Sequence, residues 1–422
     1  MLCHRAATDA QRQSLCRAAA SLMRTDSITS FCRRIRTVGV GIGAGLFLLT
    51  VAAFVRPPLL PAIGRDLGMT AIGLGLLGSV FAAGRLAADF PAGRMTDRVR
   101  PGPMMSISAM LVAAGSVVLA IAPNPLVAHA AMLLLGIGST FTLTTAMAYF
   151  AQAPRIRRGV SVSAFAAWLL AGQSFGPTLG GSLGGVYGWR QAVAIAGLIA
   201  IGVAVAFLFS KAPFAPASSR EPAGKTGTAH PVRSHVLGLI YLLPAVQFAL
   251  GGALLQTLIP IAADSELGIG PGTVGVALGL GGVSRFVAAL VTGQISDRVS
   301  RKRALVPGQI LQTAGIAVFM LWSDPVAWLV SIVLVTLGSA GVNVGVTILA
   351  DLSEGSGLGK RLAAFRFTGD SALVVAPLLS GWLYQVAGRA VATVPLLLLS
   401  AVVTFGVWIF VPETGRWAAA AP

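Results

Sequence analysis

The chain reads as an all-α integral membrane protein, with twelve transmembrane helices arranged as two six-helix bundles related by an internal repeat. Three observations predict this. The sequence is 55% hydrophobic and only 11% charged, with a mean hydropathy of +0.81, so a soluble 43.1 kDa protein of this composition would be unable to cover its surface with polar groups. Twelve apolar runs, each near the roughly 20 residues that cross a hydrocarbon core as a helix, are cut by short polar or Gly/Pro turns. One charged loop also occurs twice, as Gly93-Arg94-Met95-Thr96-Asp97-Arg98-Val99 and, 200 positions later, as Gly293-Gln294-Ile295-Ser296-Asp297-Arg298-Val299. The same offset pairs Leu67-Gly68 with Leu267-Gly268, Arg85 with Arg285, Phe165 with Phe365, Pro177 with Pro377 and Gly181 with Gly381. Parallel repeats of about six helices are one build of secondary transporters.

The runs fall at 37–57, 71–91, 103–123, 125–148, 159–182 and 191–211, then at 234–262, 271–292, 304–323, 325–350, 363–386 and 389–412. Period-2 alternation is absent, so helices rather than barrel strands must satisfy the backbone in lipid. Basic residues sort by the loops between the runs. Arg5, Arg12, Arg17, Arg24, Arg33, Arg34 and Arg36 precede the first. Arg94, Arg98 and Arg100 follow the second, and Arg155, Arg157 and Arg158 follow the fourth. The sixth is followed by Lys211, Arg220, Lys225 and Arg233, the eighth by Arg298, Arg301, Lys302 and Arg303, and the tenth by Lys360 and Arg361, while Arg416 lies in the tail. The opposite side holds only Arg56, Arg65, Arg190 and Arg389. By the positive-inside rule both termini are cytoplasmic, in a plasma or bacterial inner membrane. The net charge of +17 is therefore a record of topology, and a nucleic-acid partner, which requires a clustered basic face, is not expected.

The stretch 1–36 reads as a basic cytoplasmic tail without a signal-peptide cleavage pattern, with Met23 an alternative start to Met1. Its Cys3, Cys16 and Cys32, the chain's three cysteines, face the reducing compartment and imply no disulfide or metal site. Residues 212–233 carry Pro213, Pro216, Pro222, Gly224, Gly227 and Pro231, a flexible-linker composition, so the bundles are expected at 37–211 and 234–412, with a second tail at 413–422.

On these loops the sequence resembles the major facilitator superfamily over nearly all of 37–412. That family's loop after the second helix, and more weakly after the eighth, reads close to Gly-x-x-x-Asp-Arg-x-Gly-Arg-Arg. Gly93, Asp97 and Arg98 match, with Arg100-Pro101 in place of the second Gly-Arg; Gly293, Asp297, Arg298, Arg301 and Lys302 match, with Ser300 for that glycine. The glycine suits a close helix approach, the aspartate can cap a facing helix N-terminus, and the arginine supplies a charge partner. The resemblance implies a latch holding the bundles together on the cytoplasmic side while the cavity opens outward. The fifth run, Gly172-Gln173-Ser174-Phe175-Gly176-Pro177-Thr178-Leu179-Gly180-Gly181, is similar to the Gly-x-x-x-Gly-Pro-x-x-Gly-Gly signature of proton-driven exporters, with Ser163 in place of an upstream glycine. The residues themselves are also those of a plain packing seam. Ala372–Gly381 is its degenerate twin, and an arginine those exporters carry in the fourth helix, in Arg-x-x-x-Gly-x-Gly, is Met132 here.

Ionisable groups within spans cost about 2.5–3.5 kcal/mol each on insertion scales, so each needs a reason. Arg85 and Asp89, and likewise Arg366 and Asp370, stand four apart on one helix face and are expected to neutralise each other in part. Asp370, the deeper acid, is the first candidate for proton coupling, with a static ion pair as the alternative; Arg285 has no acid on its own helix. Gln173, Gln247, Gln256, Asn343 and the threonines 140, 142, 144 and 145 are candidate cavity residues. So few charges suit an apolar or amphipathic solute. No nucleotide-binding loop, metal-ligand spacing or nucleophile elbow appears, so the expectation is a non-enzymatic, monomeric transporter without cofactor or ATP, most simply a proton-coupled exporter, with symport import and a non-transporting sensor as alternatives.

Overall fold

A computed structural model describes residues 40–151, 155–209, 234–351 and 358–411. The tails 1–36 and 413–422, the linker 212–233 and all three cysteines lie outside the described residues, which contain helices and no strands.

Among the described residues ten helices are long and apolar enough to cross a membrane, two fewer than the twelve runs. The difference has a physical cause at each place. The last candidate, Ala364–Phe410, has 47 residues, far longer than one crossing at 1.5 Å per residue, and is broken at Gly388, where φ is 78° and ψ −175°. Two hundred residues earlier Gly188, with φ 89°, separates Arg155–Tyr187 from Trp189–Leu208 in the same manner. Arg155–Tyr187 is the helix expected as the fifth span, and its glycines, Ser and Thr leave it too weakly apolar to count among the ten. The other positive-φ residues are Gly68 (64°) and Gly268 (62°), which end the first and seventh spans with amides bonded back to Gly64 and Ala263. Both pairs sit at the 200-residue offset, at bends a side chain would strain.

The first span, Val40–Leu67, tightens to a 3₁₀ turn at Pro57–Leu59, where two prolines supply no amide. Its repeat partner, Val236–Leu267, widens instead to a π-helical stretch, Leu250–Leu258, just before Pro260. π-turns are frequent at functional sites, and this one carries Gly251, Gly252 and Gln256.

Two large buried apolar clusters form, beside a small third of Ala88, Ala92, Met104 and Phe141. One joins side chains from Ile42 to Phe207 with Ile261, and the other runs from Val236 to Val411. Large apolar side chains such as Leu198, Val205, Val283, Val375, Leu398 and Val402 stand exposed on the outer faces, as hydrocarbon-facing helices require. The two halves meet along two seams, the second span against the eleventh and the fifth against the eighth. A Cβ at Gly75 would fall on the Pro377 carbonyl oxygen, and one at Gly381 on that of Ala71. A Cβ at Gly275 would fall on the carbonyl of Pro177, and one at Gly181 on that of Pro271. The seams are thus backbone-to-backbone contacts that only glycine permits, repeated at the 200-residue offset.

Candidate substrate cavity and charge sites

Between the halves lies a cavity of about 330 Å³, walled by side chains of both. Its polar lining includes Gln173, Gln247, Gln256 and Thr142, four of the eight residues expected there, together with Arg85 and Arg285. The side chain of Asn343 lies outside the described residues. Of the fourth-span threonines, Thr142 bonds the Gly138 carbonyl of its own helix, while Thr140 bonds the carbonyl of Arg85 at 3.2 Å. Gln247 donates to Gln312 at 2.8 Å behind the cavity wall.

The intramembrane charges do not pair within their helices as the spacing suggested. Arg85 Nη2 lies 3.2 Å from Asp370 Oδ1, and Arg366 Nη2 lies 3.5 Å from Asp89 Oδ1, so both ion pairs cross the seam between the second and eleventh spans. The i, i+4 spacing does place each Arg and Asp on one helix face; because the two faces oppose each other, the charges exchange partners. The pairs differ in depth. Asp370 is 2% exposed, whereas Asp89 and Arg366 keep side-chain exposures of 30% and 42%. Asp89 also lies within electrostatic reach of Asp370 and Arg85, so the four form one cluster. Among the described residues the ion partner of Asp370 is one guanidinium, whose Nε is buried and unpartnered, and the Asp89 carboxyl lies within hydrogen-bond reach of Asp370.

Arg285, the repeat partner of Arg85, sits on the other seam. Its single hydrogen bond is a long one, 3.4 Å from Nη1 to Gln173 Oε1, and among the described residues it meets no carboxylate.

At the charged-loop end, Arg98 and Arg298 are exposed on the last turns of their helices. The side chains of Asp97 and Asp297 lie outside the described residues. Gly93 and Gly293 have open space where a Cβ would stand, so neither mediates the close helix approach expected of it in this conformation. The opposite end is tied as well as glycine-sealed: between the halves Arg65 pairs with Asp264, and the Ile72 amide donates to Gln385 Oε1 at 3.2 Å.

The Gly-Pro segment divides its work. Gly172, Gly176 and Gly180 lie against Thr50, Phe54 and Val55 of the first span, within one half. Gly181, after the kink at Pro177, makes the crossing to Gly275 in the other half. The twin segment repeats only the second role, with Pro377 and Gly381 against the second span.

Sequence reasoning missed Arg56, which it placed with the loop residues of the opposite side. It is 6% exposed inside the first span, donating from Nε and Nη2 to Ala53 O, with its guanidinium 4.4 Å from the Phe81 ring. Its Nη1 contacts Met132 Sδ. A guanidinium thus reaches, from the first span, the place in the fourth span where the resemblance led to an arginine being expected.

Residues 42–264 and 245–421 match the family model of the Major Facilitator Superfamily. No curated protein matches the chain. Among solved structures, it is similar to a bacterial homologue of the human lysosomal transporter Spinster, in its inward-facing, unoccupied conformation, with a TM-score of 0.71 and 14% identity over 89% of this chain and 96% of the other. The occupied, inward-facing form of that protein gives 0.69 and 13%, covering 89% and 96%. The human organic anion transporter MFSD10 (TETRAN) gives 0.65 and 19%, covering 88% and 99%. At such identities the likeness is one of fold.

Proposed function

The chain belongs to the Major Facilitator Superfamily and is an integral membrane transporter rather than an enzyme, and from that premise we propose that it exports a small amphipathic solute by alternating access, driven by protons taken up at Asp370. The observation that carries the reading is the burial of Asp370 on the seam between the halves, with Arg85 of the opposite half as its ion partner. When that seam parts, the carboxylate loses the Arg85 guanidinium, and an acid without its cation in a low-dielectric site is favoured in its neutral form. Opening of the seam is thereby linked to uptake of a proton. The basic loops face the cytoplasm in this reading, and the Gly93–Val99 and Gly293–Val299 loops latch the halves when the cavity opens outward. The seal at the far end, with open space at Gly93 and Gly293, is what the cytoplasm-open stage of such a cycle requires.

A second reading, import by symport with the proton, is favoured by the same ion pair. Protonating Asp370 frees Arg85, a cavity-lining cation, and a freed cation attracts a solute of opposite charge instead of expelling it. Everted vesicles separate the two: solute accumulating under an inside-acid gradient supports export, and uptake confined to right-side-out vesicles supports symport. In either orientation Asp370→Asn is expected to abolish gradient-driven accumulation while solute binding and downhill exchange persist. Intact pH-driven accumulation in this variant would move coupling away from Asp370.

A further inference from the structure

Resting on the reading of the cavity as the solute site, we propose that the solute is an amphipathic monoanion, whose carboxylate or sulfonate is held by Arg285 with Gln173 beside it. Among the described residues the charges on the cavity wall are Arg85 and Arg285, with no acid in the lining. Asp370 neutralises Arg85 at 3.2 Å, which leaves one positive charge uncompensated. The repeat shows that the imbalance is local to this seam. Two hundred positions from Asp370 stands Leu170, from Asp89 stands Ala289, and from Arg366 stands Ala166. The arginine was kept in both halves, while its acid is present for one of them only.

An arginine at this depth carries a desolvation cost that a partner has to offset. A guanidinium offers five N–H donors in a planar fork, and Arg285 uses one of them in a bond of 3.4 Å. A carboxylate or sulfonate accepts two parallel donors from such a fork, the geometry that a lone ammonium cannot supply. Gln173, on the facing helix, adds an amide N–H for a remaining oxygen once its own carbonyl holds the arginine. Arg56 does not compete for this role, because it is buried against Ala53 O, Met132 and Phe81. One net positive charge selects a monoanion over a dianion. Most of the rest of the wall is apolar, with Leu46, Leu49, Leu169, Phe248 and Leu373 among its residues, and its other polar groups are neutral, so the body of the solute is hydrocarbon or aromatic.

The test is binding to the full-length protein in lipid nanodiscs at neutral pH, without any gradient. Three probes of one shape are compared by titration calorimetry: naphthalene-2-carboxylate, its primary amide and 2-naphthylmethylamine. The carboxylate is expected to bind at least tenfold more tightly than the amide, with the amine weakest. Arg285→Gln should bring the carboxylate down to the amide's affinity, Arg285→Lys should retain part of the difference, and Gln173→Leu should cost a few-fold. Equal affinities for carboxylate and amide, preference for the amine, or binding of none of the three overturns the proposal. The wild-type series decides it even if Arg285→Gln fails to fold. Since nothing here depends on coupling, a chain that binds the carboxylate but ignores a proton gradient fails only the exporter reading, and a coupled chain blind to the probes' charge fails only this one.

Discussion

The two seams between the halves are built alike and charged differently. In both, a glycine of one half lies on the carbonyl of a proline in the other: Gly75 on Pro377, and Gly275 on Pro177. In both, an arginine stands ten residues further along the same helix, Arg85 and Arg285. Here the likeness stops. The second-eleventh seam gathers Arg85, Asp89, Arg366 and Asp370 into a cluster balanced in charge, while the fifth-eighth seam has Arg285 with Gln173. Backbone contact is a steric requirement of closing the molecule, so both halves keep it. Charge is a requirement of what the molecule carries, and a solute and a proton need not meet the same residues.

The largest expected effect comes from breaking what the seams share. Gly75→Val and Gly275→Val each place a side chain on a facing carbonyl that cannot retreat without moving a helix, and overpacking of well-packed sites typically costs about 1–3 kcal/mol. Each variant should abolish transport while remaining inserted. In a background with the native cysteines replaced by serine, each should also leave a cysteine at Ser139 reactive toward membrane-impermeant reagent from the glycine-sealed side. If one seam tolerates valine and the other does not, the steric equivalence of the two halves is lost.

Next in size is making the seams alike in charge. Leu170 occupies the place of Asp370 and lines a small cavity together with Gln173 and Arg285. Leu170→Asp should give Arg285 an internal partner and lower the affinity for naphthalene-2-carboxylate by roughly 10- to 150-fold, as displacement of one charge-assisted contact worth about 1.5–3 kcal/mol implies. Unchanged affinity would mean that the acid and the solute do not compete for the arginine.

The repeat that makes this comparison possible was readable in the amino-acid string, because glycines at positive φ and glycines at helix crossings tolerate no replacement and recur at a fixed offset. The helices were readable as well, from apolar length alone. The chain breaks were readable too: the runs 363–386 and 389–412 part on either side of Gly388, and the fifth run, 159–182, lies within the helix Arg155–Tyr187. Charge pairing was legible only to the level of a face. The four-residue spacing put Arg85 with Asp89 and Arg366 with Asp370 correctly on shared faces, but which charge each meets depends on the opposing helix, which local spacing does not contain. Arg56 was hidden for a related reason, since the prolines after it read as a span end when they mark a 3₁₀ turn within the span.

A smaller effect should separate the two acids of the balanced seam. Asp89→Asn removes the partner of Arg366 in a pair with both side chains partly exposed, where ion pairs contribute about 0–1 kcal/mol. Gradient-driven transport should fall no more than a few-fold, against its loss in Asp370→Asn. Equal losses in the two variants would show that the cluster titrates as a unit and that burial does not choose between its acids.

The smallest effect is expected at Gly93. The open space around its missing Cβ means that Gly93→Ala meets no neighbour in the conformation described here, and alanine, the better helix former by about 1 kcal/mol, sits inside the helix Ala71–Arg98. Stability should therefore rise slightly or stay unchanged, and a thermal melt in detergent checks this. Transport is the informative measurement, because the proposed latch closes at the other stage of the cycle. A rate within twofold of wild type says that the helices never approach closely at Gly93, leaving the latch to the charged residues of the loop. A slowed rate with an unaltered melt says that the approach occurs only when the cavity faces outward, and Gly293→Ala in the repeated loop then tells whether both halves need it.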